Sequence, residues 1–159
     1  MFALEPQPLS FTAEAPIRVR DSAFVRAKPE RVFEAFADTA SWTKWFPLMH
    51  RAEWVGDDIE KVGAEREVAL YLLGAYRERF IAWEPAVRFA FTMTKSSSPM
   101  ARAIVEDFQF SPSSGGTRID WVLAADPKPL GKIARPALEA IMPRVFRKSG
   151  ERLEHYLGV

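Results

Sequence analysis

Residues 27–47 read AKPERVFEAFADTASWTKWFP. Pro29 sits where a first helical residue is expected, because its missing N–H would have no partner there and its φ is already helical. Val32, Phe33 and Phe36 recur at helical spacing and share one face, so the stretch predicts a short amphipathic helix. Asp38 and Thr39 can end that helix and cap another, which predicts a second short helix over 40–46 that stops before Pro47. On it, Trp42 and Trp45 at i and i+3 share a face that Phe46 continues at i+4. Such a face can stack on nucleic-acid bases, but stacking sites need nearby basic residues and only Lys44 is at hand. Two roles remain for it, a plug for the core or a wall of a cavity.

Upstream, IRVRDSAFVRA (17–27) alternates apolar and charged residues in its first half and stops at Lys28-Pro29, as a strand leading into a helix does. Residues 1–16 hold three prolines among scattered apolar residues and read as an extended arm, either loose or packed against the domain. Downstream, between His50 and Asp126, six strand-length runs follow one another: HRAEWVG, AEREVALYL, AYRERFIAW, VRFAFTMT, ARAIVEDFQF and TRIDWVLAA. The turn residues between them leave only short connections, which predicts hairpins and one antiparallel meander.

The remaining stretch, LGKIARPALEAIMPRVFRKSGERLEHYL, carries a helical stripe of Ile133, Ala137, Ile141, Val145 and Ser149, flanked by Leu138, Met142, Phe146, Leu153 and Leu157. It predicts one long amphipathic helix. Pro136 and Pro143 each remove an intrahelical hydrogen bond at a cost of about 3 kcal/mol, so a kink or a break is expected. The predicted class is α+β: a seven-stranded antiparallel sheet wrapped around a long C-terminal helix, with two short helices after the first strand. Residues 17–159 form a single domain behind the arm. Twisted strands cannot pack flat everywhere against one helix, so a cavity between helix and sheet is expected, and ligands sit in such cavities.

Composition narrows the chemistry. The chain has 159 residues, 48% of them hydrophobic, enough for one domain with a substantial core. It has no cysteine and two histidines, which excludes disulfides, thiolate metal sites and cysteine nucleophiles and leaves little for any transition metal. No metal and no cofactor is implied. Twenty-two basic residues nearly balance 21 acidic ones, so no global field draws in nucleic acid or an anionic membrane. No apolar run is long enough to span a bilayer and MFALEPQPLS is not a signal sequence, so a soluble, cytoplasmic protein is expected. The oligomeric state is not legible.

Four words of this sequence, in order, resemble the START-like helix-grip superfamily, also called SRPBCC, which includes lipid-transfer domains and the polyketide cyclase/dehydrase group. They are AKPERVFEAFADTASWTKWFP, VGAEREV (62–68), RERFIAWEPAVRFAFTM (77–93) and GGTRIDWVLAADP (115–127). The resemblance implies a helix-grip fold with a hydrophobic pocket that binds a small lipid-like or aromatic molecule. It transfers no catalytic motif, because members range from carriers to cyclases to partner-binding modules.

Strand periodicity nominates the pocket residues. Phe89, Phe91 and Met93, then Phe108 and Phe110, then Ile119, Trp121 and Leu123 are period-2 sets, each on one face. Facing inward, they are plain core or the wall of a pocket, and the ligand-contact candidates are Phe89, Phe91, Met93, Phe108 and Trp121, with Ile141 and Val145 from the helix. Glu106 is in phase with Ile104 and Phe108, and Glu78 with Tyr76 and Phe80. A carboxyl group on an apolar face is held neutral or paired, for instance with Arg66 or Arg102; held neutral, it can serve as a general acid or base. His50, at a loop–strand junction, is a further proton-transfer candidate or simply polar surface. His155 suits a helix C-terminus, Tyr71 and Tyr76 flank the Gly74 turn, and Arg144, Arg147, Lys148 and Arg152 read as a solvated helix face. A hydrophobic-ligand carrier leads these readings, followed by a cyclase/dehydrase-type enzyme and a ligand-free interaction module.

Overall fold

The computed structural model describes all 159 residues, Met1–Val159. Seven strands form one antiparallel path in the order β2-β8-β7-β6-β5-β4-β3. They are β2 (Ile17–Val25), β3 (Met49–Val55), β4 (Glu65–Leu70), β5 (Gly74–Glu84), β6 (Arg88–Ser96), β7 (Ala101–Ser113) and β8 (Gly116–Pro127). Strands β3 to β8 follow one another as hairpins, and only β2 reaches across the chain to pair with β8, Ile17 opposite Ala125. The fold is helix-grip, with the helix α4 (Pro129–Leu157) laid along the inner face of the sheet.

Between β2 and β3 lies the segment that decides the fold. Helix α2 (Pro29–Ala37) starts at Pro29 and buries Val32, Phe33, Ala35 and Phe36. The Asp38 side chain accepts from the Ala40 N–H, opening a 3-10 turn (Thr39–Ser41) that leads into a single α-turn, α3 (Trp42–Trp45). The Phe36 ring lies 4.9–5.5 Å from those of Trp42, Trp45, Phe89, Phe108 and Phe110, mostly edge to face, which favours aromatic pairs. Both indoles are also satisfied: Trp42 Nε1 donates to the Phe36 carbonyl and Trp45 Nε1 to Ser41 Oγ, each at 2.9 Å.

The arm lies on the sheet. A two-residue strand, β1 (Phe2–Ala3), pairs with the end of β6. Pairing of β6 with β7 stops at Thr92 opposite Val105, and the arm fills the seam beyond it. The Leu4 N–H donates to the Thr94 carbonyl on one side and the Glu5 N–H to the Arg102 carbonyl on the other. A short turn, α1 (Phe11–Glu14), then covers the outer face, where Ala15, Val105 and Ala124 form a small second core with Phe11 and Ile81.

Helix α4 runs unbroken from Pro129 to Leu157 through Pro136 and Pro143. The expected break is absent because the carbonyls deprived of a donor belong to Lys132 and Glu139, both exposed residues that water can serve. Its two halves differ. Its buried residues all lie between Met142, at mid-helix, and Leu153, while Ile133, on the predicted stripe, is 78% exposed. Glycines let it approach its surroundings closely near both ends, the β6–β7 connection at one and β2 at the other. A Cβ on Gly131 would come within 2.1 Å of the Met100 carbonyl oxygen, and one on Gly150 within 2.9 Å of the Ala23 methyl. The last turn ends on Gly158 in the left-handed region, φ +73°, whose N–H returns to the helix.

Candidate functional site

Under the raised first half of α4 lies a cavity of about 370 Å³. Ala134, Ala137, Leu138 and Ile141 of α4 form its roof, and Phe91, Met93, Leu123 and Ala125 part of its floor. Trp42 and Phe46 close one end. The opposite rim is made by the β4–β5 turn and the β6–β7 connection, through Leu72 and Met100; Leu72 is 99% exposed and held at φ +70°.

A bulge shapes the polar part of the floor. Arg77 pairs with Lys95 but Glu78 pairs with Met93, so Thr94 is the extra residue on β6. The inward set on β6 therefore shifts from Met93 to the buried Ser96, opposite Tyr76, while β5 continues to present Tyr76 and Glu78 to the cavity. Glu106 reaches the same space from β7.

Behind the floor is a fully buried cation. Arg66 alternates inward with Ala64 and Val68, and its Nε donates to Glu78 Oε2 at 2.5 Å. Both Nη atoms are buried without a hydrogen-bond partner. Aromatic faces surround them instead: the guanidinium carbon is 4.2 Å from the Trp42 ring centre and 5.3–5.5 Å from those of Phe80, Phe89 and Phe91. An arginine does not lose its proton, so this charge is permanent and needs a counter-ion.

Burial pushes the Glu78 carboxyl above the usual carboxylate range, against the pull of Arg66. Burial, aided by the negative charge of Glu78, pushes Glu106 up to about 7. Trp121 Nε1 donates to Glu106 Oε2 at 2.9 Å and partly opposes that rise. Glu78 touches the buried cation and carries the pair's charge, so the proton near neutrality resides on Glu106. Tyr76 is raised as well, by burial and then by Glu106, and donates its hydroxyl to the Leu73 carbonyl at 2.7 Å.

Of the ligand-contact candidates, Phe91, Met93 and Ile141 lie in the cavity wall. Phe89, Phe108, Trp121 and Val145 do not line it and lie in the packed core. Phe89 and Phe108 lie beneath Phe36, Trp121 is stacked against Phe146 at 4.9 Å, and Val145 is buried with the second half of α4. Period-2 spacing fixes a residue's face but not what covers it, and here α2, α3 and α4 fill the space. His50 is also outside the cavity. The register of β3 shifts between Met49 and Arg51, which leaves His50 as the extra, exposed residue of a bulge, its ring 4.4 Å from that of Tyr71. Arg102, an alternative partner for the carboxylates, pairs with Asp126 instead. On α4, Arg147 pairs with Asp21 and Lys148 with Glu151. Arg66, offered by the sequence as a partner for the carboxylates, is the partner of Glu78; its place as a fully buried cation, and Leu72 at the rim, escaped the sequence reading. The alternation Ala64-Arg66-Val68 was the available signal for the first.

A curved antiparallel sheet gripping one long helix over a mainly apolar cavity defines a helix-grip protein. The chain belongs to the polyketide cyclase/dehydrase and lipid transport family, whose family model matches residues 16–158. It is 32% identical over 143 residues to the uncharacterized protein Rv2574 of Mycobacterium tuberculosis, covering 90% of this chain and 84% of that one. Among solved structures it is similar to the Zhui aromatase/cyclase from Streptomyces sp. R1128, with TM-score 0.73 and 14% identity over 89% of this chain and 93% of that one. A Thermus thermophilus protein, TTHA0849, is similar too, with TM-score 0.69 and 17% identity over 87% and 95% of the two chains. At these identities the structural likeness concerns the fold alone. No helix is long and apolar enough to cross a membrane.

Proposed function

We propose that this protein binds a small hydrophobic molecule, lipid-like or aromatic, between α4 and the sheet. The observation that carries the reading is the composition of the cavity wall, where 20 of 25 residues are hydrophobic. A ligand burying roughly 250 Å² of apolar surface there gains about 6 kcal/mol before ordering costs. Membership in a family described by lipid transport as well as by cyclase and dehydrase chemistry supports the same reading. A ligand-free interaction module would fill this space with its own side chains.

One observation favours a second reading, a cyclase/dehydrase-type enzyme. Glu106, poised near neutrality at the cavity, has the acidity wanted of a group that moves a proton on a folded substrate. Native mass spectrometry of the purified protein, followed by organic extraction and titration with apolar fluorescent probes, tests binding. Failure to retain any ligand together with failure to bind any probe refutes it. A carrier keeps its affinity for an apolar probe when Glu106 is replaced by Gln, whereas an enzyme loses turnover.

A further inference from the structure

The polar groups facing the cavity are few, and none of them is a cation. Its lining contains the carboxyl groups of Glu78 and Glu106, the phenol of Tyr76 and the hydroxyl of Ser98, and no lysine, arginine or histidine. The nearest cation is sealed away: Arg66 is fully buried, its Nε is engaged by Glu78, and aromatic rings enclose the rest of its guanidinium. The fixed donors of the floor are also used up internally. Tyr76 gives its hydroxyl hydrogen to the Leu73 carbonyl, and Trp121 gives its N–H to Glu106. What the floor offers an occupant is carboxyl and hydroxyl groups without a positive charge: the second oxygens of Glu78 and Glu106, the latter a donor while it holds its proton and an acceptor once ionised, and the rotatable hydroxyl of Ser98.

A ligand's polar end is desolvated on entry and must find complementary partners or lose affinity. An ammonium or hydroxyl finds acceptors here. A carboxylate meets two carboxyl groups, one of them ionised to balance Arg66, and no cation. We infer that the cavity selects apolar molecules with one hydrogen-bond-donating end, a primary amine or a hydroxyl, and rejects carboxylates of the same length. The inference rests on the ligand-binding reading above and names the ligand class within it.

The amine and the hydroxyl are told apart by pH. Around Glu106, β4 presents Arg66, β5 presents Tyr76 and Glu78, and β8 the neutral Trp121; β6 presents Phe91 and Met93, and α4 only alanines, Leu138, Ile141 and Met142. Glu106, at about 7, is the group that changes charge near neutrality. An ammonium favours its ionised form, so amine binding strengthens as pH rises from 6 to 8 and releases a proton. A hydroxyl donates to either form and shows no such dependence.

The test is displacement of an apolar fluorescent probe from the full chain by decylamine, 1-decanol and decanoate, at pH 6 and pH 8. Decylamine and decanol are expected to compete at concentrations at least tenfold below decanoate at pH 8, with the amine alone gaining severalfold between the two pH values. A formal net charge of +1 argues against non-specific attraction of the amine. Glu106→Gln should flatten the amine's pH dependence, but the ranking in the unmodified protein is decisive even should that variant fold poorly. If the probe binds and decanoate competes as well as the other two, this inference is overturned while ligand binding stands. If the probe does not bind at all, both fall.

Discussion

Arg66 Nε lies 2.5 Å from Glu78 Oε2, and both side chains are shut away from solvent. The pair exchanges hydration for mutual attraction, ring faces and a single shared hydrogen bond, an arrangement far costlier to break than to replace. Arg66→Met alone should lower stability by about 3–5 kcal/mol, because it strands a buried carboxylate. Arg66→Met with Glu78→Leu should recover most of that loss. Urea unfolding of the two variants at pH 7 measures both, and a double variant as unstable as the single one would contradict the account.

Stability should fall as pH rises through the acidic range. Glu106 has a folded pKa of about 7 against an ordinary carboxylate value of 4.5, so the folded state holds the proton more tightly. Its stabilising contribution is complete below pH 4.5 and is lost progressively up to pH 7, by roughly 3 kcal/mol. Glu78, also raised, acts in the same direction. Urea midpoints at half-unit steps from pH 4.5 to pH 8 should trace this decline, and Glu106→Gln should flatten it relative to the parent.

Filling the cavity separates binding from folding. Ala137 is exposed on the roof side of α4 and also lines the cavity, so Ala137→Phe can turn a ring into open space without disturbing the packed half of the helix. Apolar probe affinity should drop at least tenfold while the thermal midpoint moves by only a few degrees. An unchanged affinity would place the probe elsewhere.

Pro136 and Pro143 leave two carbonyls of α4 without helical partners and loosen the half that roofs the cavity. If that half lifts to admit ligand, Pro136→Ala and Pro143→Ala together should slow probe release in stopped-flow displacement while raising stability. A release rate equal to that of the parent would exclude α4 as the gate.

The arm should hold the seam between β6 and β7. Leu4 is buried beside it and bonds to Thr94, so Leu4→Asp should destabilise the fold by about 2–3 kcal/mol. Amide exchange should accelerate at residues 93–96 and 101–104 before it does in β8.

The elements were legible where a local rule operates alone. Pro29, the apolar face of α2 and the Asp38 cap each dictate their own few residues, and hairpin spacing dictates the meander. What escaped depends on distant parts of the chain. The open space under the first half of α4 depends on which distant residues lie beneath it, which no helical period encodes. The bulge at Thr94 moves the inward set of β6 by one residue, from Met93 to Ser96, a shift that no local pattern announces. Phe108 and Trp121 share the inner face with Phe91, yet only Phe91 borders open space, because what separates them is the roof above and not the strand beneath. Glu106 was visible as a misplaced charge. Its partner Trp121 and its raised pKa required the fold.

The pairing of Ile17 with Ala125 has a kinetic consequence. Strands β3 to β8 can zip by hairpins closing short loops, but β2 cannot join the sheet until β8 exists, and that closure spans most of the chain. Until it happens β8 presents a bare edge flanked by Ile119, Trp121 and Leu123, a surface prone to capture by another unfinished copy. Refolding should therefore show its slowest and most concentration-sensitive phase in the arrival of β2, which also brings Ala23 under Gly150 and seats the helix. The cavity would then be the last part of the molecule to take shape.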